Sequence, residues 1–150
     1  MSTQAGPTRR RFLSVLSSAV ATAPLFGCSS AGRPPAAIGK VQAGLATSFP
    51  VGSLESIGTL PVALGHDAGG FYALTLTCTH EGCNMAQQGI VSGSGIVCQC
   101  HGASYNANGH VLGGPAPEDL THFAVIIDAA TGAVTIDGDT TVSASVRTPV

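Results

Sequence analysis

The 150-residue chain has no tryptophan and few other aromatic rings, five Phe and two Tyr. Its core must therefore draw on Val, Ile, Leu and Ala, and a small core of that kind gains from a metal or a disulfide. Charge is scarce as well, at 9% of residues. Only six residues are basic, and three of them, Arg9, Arg10 and Arg11, stand together near the amino end. Beyond residue 27, three bases (Arg33, Lys40, Arg147) face eight acids (Glu55, Asp67, Glu81, Glu118, Asp119, Asp128, Asp137, Asp139), a net charge of −5. No basic patch remains to neutralise phosphates, which excludes a nucleic-acid partner. The acidity suits a basic protein partner instead. Long helical patterns and internal repeats are also missing. So is any pairing of nucleophile and base, and stand-alone catalysis is not expected.

What the chain does have is punctuation, with twenty Gly and nine Pro. Short apolar runs between turn residues read as strands and hairpins. Pro61–Leu64 and Phe71–Leu76 flank a Gly-rich turn over Gly65–Gly70. Gly89–Val91 and Ile96–Cys98 flank Ser92–Gly95. Phe123–Asp128 and Ala133–Asp137 flank Ala129–Gly132. The class is all-β, small stacked antiparallel sheets, with no helix expected after the amino-terminal segment.

That segment, residues 1–27, reads as a leader. Thr8-Arg9-Arg10-Arg11-Phe12-Leu13 resembles the twin-arginine export motif, and the apolar run from Phe12 to about Phe26 is short for a bilayer span of ~20 residues. The twin-arginine route moves folded proteins, so the resemblance implies an extracytoplasmic or periplasmic location and a cofactor inserted before export. Leu25-Phe26-Gly27-Cys28 resembles a lipoprotein box, which would leave Cys28 lipidated. Retention of the leader as a membrane anchor and release of a soluble protein are the alternatives. Residues 28–40, rich in Ser, Gly, Ala and Pro, read as a flexible tether, and residues 41–150 as the folded domain.

Five Cys and five His are conspicuous in so uncharged a chain. Six of these ten fall in two segments, Cys78-Thr79-His80-Glu81-Gly82-Cys83 and Cys98-Gln99-Cys100-His101-Gly102-Ala103-Ser104-Tyr105. Each follows an expected strand and so belongs on a loop at a strand end. Together they resemble the Rieske iron–sulfur family, whose loops read Cys-Thr-His-x-Gly-Cys and Cys-x-Cys-His-Gly. The resemblance implies a [2Fe–2S] cluster with Cys78 and Cys98 on one iron and His80 and His101 on the other. It pairs Cys83 with Cys100 in a disulfide, as in the quinol-oxidising branch, and that pair argues against an oxygenase. Gly113-Gly114-Pro115-Ala116-Pro117 resembles the family's proline loop, placing Gly114 and Pro115 over the cluster. A Cys₂His₂ zinc site in a binding module would use the same four ligands. It would leave Cys83, Cys100 and the proline loop without a role.

The resemblance also implies tuning. Tyr105 occupies the position of a tyrosine that donates to the ligand sulfur, here Cys78. High-potential members carry a serine where this chain has Ala103, so a lower potential is expected. Glu81 stands where quinol-oxidising complexes usually carry leucine, and Gln99 replaces a proline. His66 is expected in a turn, His110 and His122 near strand starts, all three outside the site, and Asp67 is expected to be solvated. The implied role is one-electron transfer. The implied partners are a cytochrome b complex, a c-type cytochrome, or a molybdenum enzyme served by a Rieske subunit.

Overall fold

The computed structural model describes Met1 and residues 38–150. The expected leader, Cys28 and most of the expected tether lie outside these residues. Ten strands run in order: β1 (Lys40–Leu45), β2 (Ser53–Ser56), β3 (Val62–Asp67), β4 (Gly70–Thr75), β5 (Gly89–Ser92), β6 (Gly95–Cys98), β7 (Ser104–Tyr105), β8 (Val111–Gly113), β9 (His122–Ile127) and β10 (Ala133–Val142). They form a six-stranded sheet, β1-β10-β9-β4-β3-β2, and a four-stranded sheet, β5-β6-β7-β8. Every pairing is antiparallel. This is the expected all-β class.

β4 explains how the two sheets stack. All six of its residues are buried, and alternate side chains serve opposite faces. Phe71 and Ala73 join Val62, Leu64, Phe123, Val134 and Ile136 in a core on one side of the large sheet. Tyr72 and Leu74 join Leu54, Leu76, Met85, Ile96, Cys98 and Tyr105 in a second core, shared with the small sheet. Gly65 is required opposite Tyr72, because a Cβ there would collide with the tyrosine ring. The small sheet is inserted between β4 and β9, so both of its ends attach to central strands of the large one.

Several expectations shift in register. The first hairpin is tighter than the glycines suggest: β3 continues through Gly65, His66 and Asp67, and Asp67 pairs with Gly70 across a two-residue turn. His66 is therefore a strand residue, with Nδ1 2.7 Å from Phe49 O and its ring stacked on Phe71. Asp67 is an ion-pair partner of Arg147 rather than a solvated acid. β10 runs to Val142 across a bulge between Asp137 and Thr141. A one-turn helix, α1 (Met85–Gln88), follows the first Cys–His segment, capped by the Asn84 side chain accepting from the Ala86 amide. Its buried Met85 anchors it to the shared core, which outweighs its marginal length.

Candidate metal centre

The two Cys–His segments fold into the same turn. In the first, the Cys78 amide donates to Cys83 O at 2.9 Å and the Gly82 amide returns to Cys78 O at 2.8 Å. In the second, the Cys98 amide donates to Ala103 O at 2.8 Å and the Gly102 amide to Cys98 O at 3.0 Å. Gly82 and Gly102 close these turns with φ of +75° and +78°, a conformation that costs other residues roughly 1 kcal/mol or more. The sequence can adopt the turn twice because each segment places a glycine four residues after its leading cysteine.

A disulfide joins Cys83 to Cys100 and locks one loop to the other. Cys78 and Cys98 are the free cysteines among the described residues, and both are buried. Both sit in the core shared by the two sheets. Burial, the largest influence, pushes the Cys98 thiol up, aided by Cys78, while backbone amides of Cys100 and His101 donate toward it and oppose the rise. The His80 and His101 rings lie edge to face with centroids 4.8 Å apart. The side-chain ligand atoms of His80, Glu81 and His101 fall within 4.8 Å of one another. Glu81 Oε2 is 3.6 Å from His101 Nε2, and both side chains are well exposed.

The residues fit a bound metal on an observation independent of motif. Nδ1 of His80 is buried without a hydrogen-bond partner, an orphan that a metal bond would satisfy. Two thiols packed in an apolar core gain from becoming metal-bound thiolates beneath inward-facing amides. The disulfide sulfurs lie near Cys98, with the Sγ atoms of Cys83, Cys98 and Cys100 within 4.8 Å of each other. Being bonded together, the two disulfide sulfurs offer no thiolate.

Tyr105 is buried at the base of the site, its hydroxyl 3.4 Å from Cys78 Sγ. Burial, with Cys78 adding to it, pushes the phenol up to about 12, so the hydroxyl keeps its proton. Thr79 was not singled out by sequence reasoning. Its amide donates to the Tyr105 hydroxyl at 3.3 Å, and its own hydroxyl donates to Glu118 O at 2.8 Å. A single threonine thus ties the first loop both to Tyr105 and to the end of the proline loop. The sequence signal for it was its place between two candidate ligands in the Cys-Thr-His motif. On the other side, Gly114 (φ +82°) presses onto the second loop: a Cβ there would lie 2.5 Å from Gly102 O and 2.7 Å from the Ala103 Cα. Pro115 is exposed beside it and Ala103 fully buried beneath.

The remaining histidines lie apart from the site. His110 Nδ1 is 2.8 Å from Asp119 Oδ2, and the Val111 amide donates to Asp119 Oδ1, which closes the proline-loop hairpin from its open end. His122 is buried on β9 with Nε2 unpartnered. Burial, then the nearby Arg147 charge, holds its imidazole below the ordinary value.

Comparison with known proteins places these loops in a family. The model of the Rieske [2Fe–2S] domain matches residues 41–124. The cytochrome b6-f complex iron–sulfur subunit of Prochlorococcus marinus (strain MIT 9303) is 40% identical over 70 residues, 47% of this chain and 38% of that protein. This chain therefore spans well under half of that relative's length. The corresponding subunit of Synechococcus sp. (strain CC9605) is 30% identical over an alignment of 140 residues, covering 77% of each chain. Among solved structures, the cyanobacterial plasma membrane Rieske protein PetC3 from Synechocystis PCC 6803 superposes with a TM-score of 0.50 at 29% identity, over 65% of this chain and 98% of that one.

Proposed function

The chain belongs to the Rieske [2Fe–2S] domain family, and from that membership we propose a one-electron carrier in which Cys78 and Cys98 bind one iron and His80 and His101 the other. The cofactor itself, a [2Fe–2S] cluster, follows from the family. One observation carries the ligand assignment. The two cysteines left outside the disulfide among the described residues are buried in one core, and the histidines of the same two turns lie edge to face.

When bound, the cluster supplies one reversible electron, at a potential raised because two neutral imidazoles replace two anionic thiolates. The protein's residues do the rest. Amides of Cys100 and His101 donate toward the Cys98 sulfur, and Tyr105 can donate toward Cys78. Such donors favour the more negative, reduced state. The Cys83–Cys100 bond and the Gly114 contact hold the loops against movement and water. His101, exposed at the tip, is the side where a partner can approach.

The relatives are named as cytochrome b6-f complex subunits, which supports a quinol-oxidising cytochrome b complex as the physiological setting. Residues 1–27 serve as a twin-arginine leader or anchor, 28–40 as tether and 41–150 as the Rieske domain. Cys28 is the lipidation point if the leader is removed there. Among the described residues no helix is long and apolar enough to cross a membrane. A second reading, a carrier serving another exported oxidoreductase such as a molybdenum enzyme, is favoured by Glu81 at the tip.

The test is anaerobic isolation of the full chain, with iron, acid-labile sulfide and the electron paramagnetic resonance of the reduced protein measured. Two irons and two sulfides per chain are expected, lost in Cys98→Ser. A colourless, zinc-filled product after reconstitution refutes the assignment. Co-purification with b-type haem from solubilised membranes supports the first setting, and its absence supports the second.

A further inference from the structure

The described residues contain one lysine and one arginine, and neither serves the tip. Lys40 opens β1, an outer strand of the large sheet. The Arg147 side chain is engaged by Asp67 Oδ2 at 2.6 Å and by Asn108 Oδ1 at 2.7 Å. Glu81, in contrast, sits beside the exposed ring of His101, its own side chain 62% exposed. Glu118 is exposed on the loop that the Thr79 hydroxyl fastens to the first Cys–His turn. Among the described residues, the surface around the imidazoles thus carries carboxylates and no lysine or arginine.

From this we infer that Glu81 sets partner specificity: the imidazole tip docks a redox protein whose contact face is cationic, with lysine or arginine side chains around its own redox group. The inference rests on the carrier reading above. An apolar dock would have to dehydrate the Glu81 carboxylate without pairing it, whereas a cationic rim pairs it. Long-range attraction to the same rim speeds encounter. The electron balance is simple. The reduced protein loses one electron to an oxidant that gains one, and no bond is made or broken.

The experiment uses the full-length, cluster-loaded chain, reduced and mixed in stopped flow with two one-electron oxidants of opposite charge. These are tripositive tris(phenanthroline)cobalt(III) and trinegative hexacyanoferrate(III), both at low ionic strength. The readout is the ratio of the two second-order rate constants. A change in potential moves both rates in the same direction, so the ratio reports charge at the exit point. Glu81→Gln should lower the cation-to-anion ratio roughly threefold and Glu81→Lys roughly tenfold, the differences shrinking once the screening length drops to about 8 Å near physiological salt. Ala130→Lys adds the same unit charge as Glu81→Gln. It lies in the β9–β10 turn, at the opposite end of β9 from His122, which pairs with Leu74 below the loops. It should change the ratio less than half as much. Equal ratios for the Glu81 variants and the unsubstituted chain, or an Ala130→Lys effect as large as that of Glu81→Gln, overturn the inference while the carrier reading stands. A chain that takes up no cluster overturns both.

Discussion

Arg147 is where the carboxyl-terminal tail fastens the two sheets together, and replacing it with alanine should be among the most damaging changes away from the metal centre. Its Nε donates to Asp67 Oδ2 at 2.6 Å, one terminal nitrogen to Asn108 Oδ1 at 2.7 Å, and the other to the Ala144 and Val146 carbonyls at 2.9 and 2.8 Å. The guanidinium lies 4.2 Å from the centre of the Tyr72 ring, and Tyr72 in turn donates to Ala107 O at 3.0 Å. Asp67 belongs to the large sheet, while Asn108 and Ala107 sit in the turn that joins β7 to β8 in the small one. The Asp67 side chain is 42% exposed, so after solvent screening the ion pair contributes about 1 kcal/mol. The part-buried charged bond to Asn108 adds about 1.5 kcal/mol and the ring contact somewhat under 1 kcal/mol. The tail carbonyls are exposed, and water replaces those bonds. The loss expected in Arg147→Ala is therefore about 3 kcal/mol, or on the order of 10 °C in melting temperature for a domain of this size. Urea unfolding of the loaded protein, with Asp67→Asn and the double variant completing a cycle, measures both the total and the pair. The pair has a pH signature as well. Burial pushes the Asp67 carboxyl up, but the Arg147 side chain and the Gly69 and Gly70 amides outweigh it and hold the group below its ordinary value. The pair's contribution is therefore fully present above about pH 4 and is lost as pH falls through the lower folded value. A loss under about 0.5 kcal/mol, or no coupling between the two positions, refutes this account of the clamp.

Replacing Cys83 and Cys100 together by alanine removes a cross-link between residues 17 apart and should cost about 3 kcal/mol by loop entropy; faster cluster loss to a chelator is the second readout, and an unchanged urea midpoint contradicts it. Gly114→Ala forces a Cβ against Gly102 and Ala103 at a positive φ and should destabilise by roughly 1–3 kcal/mol, opening the site to bleaching at neutral pH. Ala103→Ser should raise the reduction potential by some tens of millivolts, since about 59 mV corresponds to 1.36 kcal/mol for one electron; protein-film voltammetry showing no rise would mean that this position does not face the cluster. His122, held below its ordinary value of 6.5 chiefly by burial, makes the folded state bind fewer protons than the unfolded one between its folded value and about 6.5, so stability falls as pH drops through that window. His122→Phe should flatten that slope in urea midpoints measured from pH 7 to 5.

The paired Cys–His turns were legible in the sequence because their determinants are local. A glycine four residues after each leading cysteine permits the turn, and the thiol and imidazole donors sit at fixed offsets within it. The hairpins around Gly93-Ser94 and over residues 128–132 were legible for the same reason, since turn residues and apolar alternation act over a few positions. Other features arise only when distant segments meet. β1 has little apolar alternation and exists because Val41 finds Ile136, ninety-odd positions away in the chain. His66 and Asp67 look like turn residues until Phe49, Phe71 and Arg147 reach them. Thr79 acquires its role only when the proline loop brings Glu118 to it. Glu81 was visible as a departure from the family pattern, but its standing beside His101 was decided by the fold. Local chemistry is written in consecutive residues, whereas partners drawn from opposite ends of the chain are chosen by which surfaces the two sheets bury against each other.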